Sequence, residues 1–374
     1  MTPVLETLAG LVRINSINPA YEGGRPESGV AALIGQFFSE RGIETWQQEV
    51  LAGRPNLIAR LPGREASRRI VFEAHTDTAS VAGMSIPPFE PELRGGLLYG
   101  RGACDTKAGL AAMMHALASL ARERRVPPCE VWVVAAADEE YSYRGVLKLC
   151  EGLTAAAGVV SEPTSLRLVT AHKGCVRFQV HTRGRAAHSS KPQLGVNAIA
   201  AMARAVLAIE KDAESLAGLS HPLLDHPTCN IGLIRGGTQV NIVPDSCSID
   251  IDYRLLPCQR IPDVLEHYDR LLASVPDVQV RRGSVMLESV ALETPADSPA
   301  AVVAAQVLRD MGLEAAPAGV PYGSDASKLS RAGVPSIVLG PGSIDRAHAA
   351  VEYVECEQVE QAFEFYRRFM LAFE

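Results

Sequence analysis

Residues 131–140 read VWVVAAADEE. Seven consecutive apolar positions are the mark of a strand buried on both faces, as in a parallel sheet covered by helices. The run ends directly in Asp138, Glu139 and Glu140. Neighbouring segments fit the same plan. RRIVFEAH (68–75), AGVVS (157–161) and PSIVLG (335–340) are further short apolar runs. Residues 29–42 form an amphipathic helix closed by Gly42, and the Ala-, Leu- and Met-rich stretch 107–122 forms another. Strands alternating with helices predict an α/β domain with a mostly parallel sheet.

Residues 175–288 follow a different rhythm. CVRFQVHTR alternates as a strand, 195–211 is helical, and TCNIGLIRGG and SCSIDIDYRL are two more alternating strands. Residues 261–275 are helical and VQVRRGSVML (278–287) is a last strand. The order β-α-β-β-α-β is that of a ferredoxin-like α+β unit. The α/β pattern then resumes with helices at 298–312 and 356–372. The expected organisation is one discontinuous domain, 1–174 with 289–374, interrupted by an inserted domain, 175–288. A length of 374 residues is ample for two cores.

Composition narrows the function classes. Acidic residues number 43 against 36 basic ones, and no basic run occurs, which disfavours nucleic acid and anionic membranes as partners. No apolar stretch approaches the ~18 residues that span a bilayer. The first residues offer neither a basic segment nor an apolar core for export, so a cytoplasmic location is expected. The eight cysteines stand singly, without a C-x-x-C pair, which argues against a thiolate zinc site or a disulfide framework.

The apolar runs share one feature. The first leads to His75 and Asp77, the second to Asp138–Glu140, the third to Glu162, and the fourth, through GPGSIDRA, to His348; Asp105 precedes the helix at 107. In an open α/β sheet, ligands gather beyond the carboxyl ends of the strands. Two imidazoles with several carboxylates and no thiolate suit zinc, cobalt or manganese. Five or more donors exceed the needs of one ion, which favours two divalent metals. Each residue also has an ordinary explanation. Asp105 reads equally as a helix N-cap, Glu139–Glu140 as a solvated pair, His75 as a core histidine and Glu162 as a turn acid.

FEAHTDT (72–78), YGRGACDTKAG (99–109), AADEEYS (136–142), VVSEPTS (159–165), RAAHSSKPQLGVNAI (185–199) and LGPGSIDRAH (339–348) together resemble a zinc-dependent metallopeptidase family. It embraces aminoacylases, acetylornithine deacetylases and succinyl-diaminopimelate desuccinylases, and the GPG turn before His348 places the chain nearest its acetylornithine deacetylase end. The resemblance implies that His75 and Glu162 hold one zinc, that Glu140 and His348 hold the other, and that Asp105 bridges them, often before a cis peptide bond. Asp77 would orient His75, and Glu139 would act as general base and then acid. The inserted domain would serve for dimerisation and as a lid. His188, otherwise an ordinary surface histidine, would hydrogen-bond the oxyanion across a homodimer. Asn241 and Arg254 would hold a substrate carboxylate, although Arg254 alone reads as an exposed strand residue. Gly323 and Ser324 would line the acyl pocket.

Lys173 reads as structural, His115 as packed, and His172, His181, His221, His226 and His267 have no partner pattern. The implied activity is hydrolysis of an N-acyl amino acid or short peptide, foremost of N-acetylornithine to ornithine and acetate in arginine biosynthesis. Succinyl-diaminopimelate desuccinylase and a dipeptidase or carboxypeptidase are the rivals. A non-catalytic binding protein on the same scaffold is the alternative of a different class.

Overall fold

A computed structural model describes residues 1–276 and 279–374. The chain divides into two compact units. The first comprises Met1–Thr170, Thr294–Ala318 and Ser324–Glu374; the second comprises Ala171–Glu293 and Gly319–Gly323.

The first unit is built on a large sheet whose strands run in the order Glu44–Leu51, Arg54–Leu61, Cys129–Ala136, Glu65–His75, Ala157–Val160, Ser336–Val338 and Val169–His172. The four central strands are parallel, with Phe72 opposite Val133, His75 opposite Ala136, and Val159 opposite both Phe72 and Ile337. Antiparallel strands flank them, so the sheet is mixed. One flank is a hairpin, Glu44–Leu51 with Arg54–Leu61, which turns at Gly53 with φ 71°.

The apolar runs are central strands because both their faces are covered. Ile70, Phe72 and Ala74 point into one hydrophobic core with Val131, Val133 and Ala135, while Val71, Glu73 and Val134 are equally buried on the opposite face. On the first face Lys107–Arg122 packs against Cys356–Ala372 and Pro3–Val12. Phe72 lies edge-on to Tyr366 and Phe369, at centroid distances of 5.8 and 5.7 Å. The helix at Lys107 approaches the strand end at Ser161 closely. A Cβ on Gly109 would stand 1.6 Å from Ser161 Oγ, so only glycine permits the contact.

The second unit has a four-stranded antiparallel sheet in the order Thr228–Gly236, Ser246–Leu255, Gly174–Arg183, Gln279–Ser289. Helices Ala198–Glu214 and Ile261–Ala273 bury the alternate residues Val176, Phe178, Val180, Ile249, Ile251 and Tyr253. The expected start of the last strand, Val278, lies outside the described residues. All eight cysteines are free, and no helix among the described residues is long and apolar enough to cross a membrane.

Replacing Phe72 by Ala should remove the central contact between sheet and helices. The expected loss is about 3–5 kcal/mol, read as a lower urea midpoint with unchanged slope.

Candidate metal centre

Parallel register brings His75, the 138–140 turn and Glu162 to the same sheet end, because their strands are neighbours with aligned carboxyl termini. Asp105 arrives on the turn before Lys107–Arg122, with the Asp105–Thr106 peptide in the cis form, and Thr106 Oγ1 donates to Ser161 O at 3.0 Å. His348 follows the strand Ser336–Val338 on a turn and has φ 57°.

Asp105 joins two groups of donors. Its Oδ1 lies 3.1 Å from His75 Nε2, and its Oδ2 lies 3.2 Å from His348 Nε2. His348 Nε2 also meets Glu140 Oε1 at 3.0 Å. Two clusters result, His75–Asp105–Glu162 and Asp105–Glu140–His348, each with donor atoms within 4.8 Å of one another. Donors bound tetrahedrally at about 2.0–2.1 Å from a zinc-sized ion stand ~3.3 Å apart, so the spacing suits such an ion. The charges fit as well. Burial pushes Glu139 and Glu162 well above the carboxylate range, and Glu140 also upward. His348 is pushed up to about 11 by Asp105 and Glu140. Burial opposes charge on His75, yet Asp105, Glu162 and Glu139 carry it well above its ordinary value. Burial would likewise raise Asp105, but His348 and His75 hold it below the usual range. The cluster is starved of positive charge, and divalent cations would supply it.

The hydrogen bonds refine the expected role of Asp77. His75 Nδ1 donates to the backbone carbonyl of Asp77 at 2.9 Å, which leaves Nε2 for a ligand role, while the carboxylate stands 3.7 Å away. The carboxylate instead accepts from two successive backbone amides, Glu139 N at Oδ1 and Glu140 N at Oδ2, both at 3.1 Å, and from Asn18 Nδ2 at 2.7 Å. The reason is the turn at Asp138, with φ 67°, which points both N–H groups to one side.

Several residues not singled out in the sequence support the centre. Glu352, fully buried, accepts from Cys104 N and Asp105 N at 2.9 and 3.1 Å and from Arg101 Nη1 at 2.5 Å. Glu73, pushed up to about 8 by burial, lies with Asp325 and Lys328 on the sheet face opposite Phe72. Lys328 Nζ sits 3.3 Å from the Tyr143 ring centroid and donates to Ser324 O at 3.1 Å. Ser324 Oγ accepts from Ala326 N at 3.3 Å, which turns the chain into the helix Ala326–Arg331. Glu73 carries no signal in an apolar run beyond being the one acid there, and Glu352 none beyond its nearness to His348.

The second unit gathers a different set. His188 pairs with Ile242, and Ser189 N donates to Asn241 O at 3.0 Å, so His188 and Asn241 are neighbours. His188 is exposed, and its Nδ1 meets Ser190 N at 3.2 Å and Ser190 Oγ at 2.8 Å, so that nitrogen is engaged within its own loop. Arg254 is half-buried and bound by Asp252 at 2.7 Å, where Arg177 also donates. Gly323 lies beside Lys173 O and Ser289 Oγ. Lys173 Nζ is bonded to the His226 carbonyl, a structural role. His115 is packed against Phe37 and pushed down to about 4, chiefly by burial. His267 and His221 find carboxylates in Asp212 and Glu293 that no spacing foretold.

Stripped of divalent ions, the protein should lose stability as pH rises from about 4.5. Buried Glu139, Glu140 and Glu162 keep protons that the unfolded chain releases, and the stabilisation of charged His75 and His348 fades as pH climbs beyond 6.5. The opposite contribution of Asp105 is complete above 3.8; His115, pushed down to about 4, and Lys107, pushed down to about 7, oppose the trend below 6.5 and above 7 respectively, and the more numerous acids and histidines of the centre outweigh them. Saturating zinc should reverse the trend. Urea midpoints between pH 5 and 9 with and without zinc check this; a metal-free midpoint that climbs over that range would contradict it.

Comparison with known proteins identifies the family. The family model described as peptidase family M20/M25/M40 matches residues 71–372. An acetylornithine deacetylase from Myxococcus xanthus is 30% identical over 351 residues, covering 89% of this chain and 85% of that protein. Among solved structures, a tripeptidase from Staphylococcus aureus superposes with a TM-score of 0.82 at 23% identity, covering 98% of this chain and 96% of its own. A dinuclear metal binding peptidase of the M20 family from Bacillus subtilis superposes with a TM-score of 0.73 at 16% identity, covering 98% and 96%. At these identities the solved structures establish the fold alone. The chain belongs to peptidase family M20/M25/M40 and is a hydrolase of that metallopeptidase and amidohydrolase type.

Proposed function

We propose that this member of peptidase family M20/M25/M40 is a di-metal deacylase of N-acyl amino acids, with N-acetylornithine as its substrate and ornithine and acetate as products. The observation that carries the reading is the sharing of Asp105 between two donor clusters, one oxygen facing each histidine. His75 and Glu162 would hold one cation and Glu140 and His348 the other, with Asp105 available to both. Zinc is the foremost candidate for this nitrogen and oxygen donor set, with cobalt or manganese able to replace it. The Bacillus subtilis relative, a dinuclear metal binding peptidase, supports the pair of ions, and the Myxococcus xanthus relative supports the substrate.

When bound, such cations would supply a lowered water pKa, from about 15.7 towards 7, and polarisation of the acyl carbonyl. Glu139 takes the water's proton and returns it to the departing amine, acting first as base and then as acid. Its burial among carboxylates favours the protonated form needed for the second half of the task. Asp77 keeps Glu139 and Glu140 on adjacent sides of the turn through their backbone amides. Nε2–H of His188 donates to the oxyanion across a homodimer formed by the inserted domain, here residues 175–288. Asn241 and Arg254 hold the substrate carboxylate, and Gly323 with Ser324 line the acyl pocket. The enzyme works in the cytoplasm, in arginine biosynthesis, with the remaining residues, 1–174 and 289–374, forming the catalytic domain.

A panel of acetylornithine, succinyl-diaminopimelate, acetylmethionine and simple dipeptides tests the substrate; preference for any arm but the first reassigns it. Glu139→Gln should retain two ions by elemental analysis while turnover falls at least ~10²-fold; near-normal turnover would remove Glu139 from its role. Mixing inert Glu139→Gln and His188→Ala chains should restore part of the activity, and no recovery after verified subunit exchange would place the whole site within one chain.

A further inference from the structure

The turn that bears Glu139 and Glu140 is held from behind by a buried polar chain that begins on the hairpin strand Arg54–Leu61. Arg54 is buried, as are Glu27 and Asp138. Its Nε donates to Glu27 Oε2 at 2.7 Å, and its Nη2 donates to Glu27 Oε1 at 2.6 Å and to Asp138 Oδ1 at 2.8 Å. Glu27 Oε1 also accepts from Asp138 N at 3.3 Å. Asn18 Nδ2 then spends both protons, one on Asp138 Oδ1 at 2.9 Å and one on Asp77 Oδ2 at 2.7 Å. From Asp77 the chain reaches the amides of Glu139 and Glu140. Two residues along the same strand, Asn56 closes the loop's ends: it accepts from Ala137 N at 3.0 Å and donates to Gly145 O at 2.8 Å.

Asp138 is the pivot, and it is an unusual one. A non-glycine residue at φ 67° needs its surroundings to hold it there. Three side chains do so: Arg54 and Asn18 on Oδ1 and Ser142 on Oδ2, at 2.8, 2.9 and 2.5 Å. Arg54 is the cation that Glu27 and Asp138 share, and its planar fork reaches both together, which a lysine cannot reproduce.

We propose that Arg54 is a positioning residue, clamping Asp138 so that the left-handed turn presents Glu139 to the reacting water and Glu140 to the metal it shares with His348. The role rests on the reading of Glu139 and Glu140 given above. It assigns to the hairpin, which contributes no ligand itself, the task of setting the distance between general base and metal ligand.

Arg54→Met alone would strand two buried carboxylates and risk unfolding, so the test pairs it with Glu27→Gln, which removes one of them. In the folded, metal-free double variant, hydrogen exchange of the 138–143 segment should rise at least tenfold while that of 129–136 stays unchanged. In cobalt titrations the second equivalent should bind at least tenfold more weakly, the first within threefold, and turnover should fall with KM nearly constant. Arg54→Lys, read in parallel, should give the same pattern at smaller amplitude. Unaltered protection of 138–143 in the double variant overturns the proposal. Because the exchange measurement needs no metal, it decides the role of Arg54 even if the unaltered chain binds fewer than two ions, a result that would instead overturn the functional reading.

Discussion

Buried negative charge at one end of the sheet is the condition the rest of the first unit answers to. Asp105, Glu139, Glu140 and Glu162 converge at this end, Asp105 and Glu162 buried and Glu139 and Glu140 partly so, with buried His75 and the exposed His348 among them. Carboxylates so placed must gain protons, hydrogen bonds or cations, since the low-dielectric interior magnifies their repulsion. The protein supplies part of the remedy itself, in His75 and His348, and divalent ions would supply the remainder. The same deficit would give the centre affinity for such cations and, on the proposed reading, keep Glu139 able to carry a proton.

The scaffold around this deficit divides into two kinds of support. Backbone amides fix the acids: Glu352 takes those of Cys104 and Asp105, and Asp77 takes those of Glu139 and Glu140. Side chains fix the fixers: Arg101 binds Glu352, and Asn18 joins Asp77 to the Asp138–Arg54–Glu27 chain. Buried carboxylates that accept several hydrogen bonds are rigid, and rigidity is what a site for two ions at fixed separation requires.

Much of the architecture was legible because its elements obey simple periods. The helices at 107–122 and 356–372 and the strand at 246–255 fall where their patterns place them. The hairpin at 44–61 was not recognised, because ETWQQEVLAGRPNLIARL carries its alternation across a turn that contains only one glycine. Its inner strand, Arg54–Leu61, runs antiparallel to Cys129–Ala136, which helps make the sheet mixed. The centre was legible for a related reason: an acid or imidazole just after an apolar run stands at a strand end, and strand ends of a parallel sheet coincide in space.

The sequence by itself determined the strands and helices that lead to the centre, which donors are present, and that they are oxygen and imidazole rather than sulfur. Side-chain period and chemical type are local properties, readable one residue at a time. Only the tertiary structure decided which carboxylate faces which. It assigned the Asp77 carbonyl rather than its carboxylate to His75, split Asp105 between two histidines, and brought Arg54 and Glu352 to the support of residues 84 and 247 positions away. Those pairings depend on strand register and on the left-handed turn at Asp138, and both are set by the packing of distant segments.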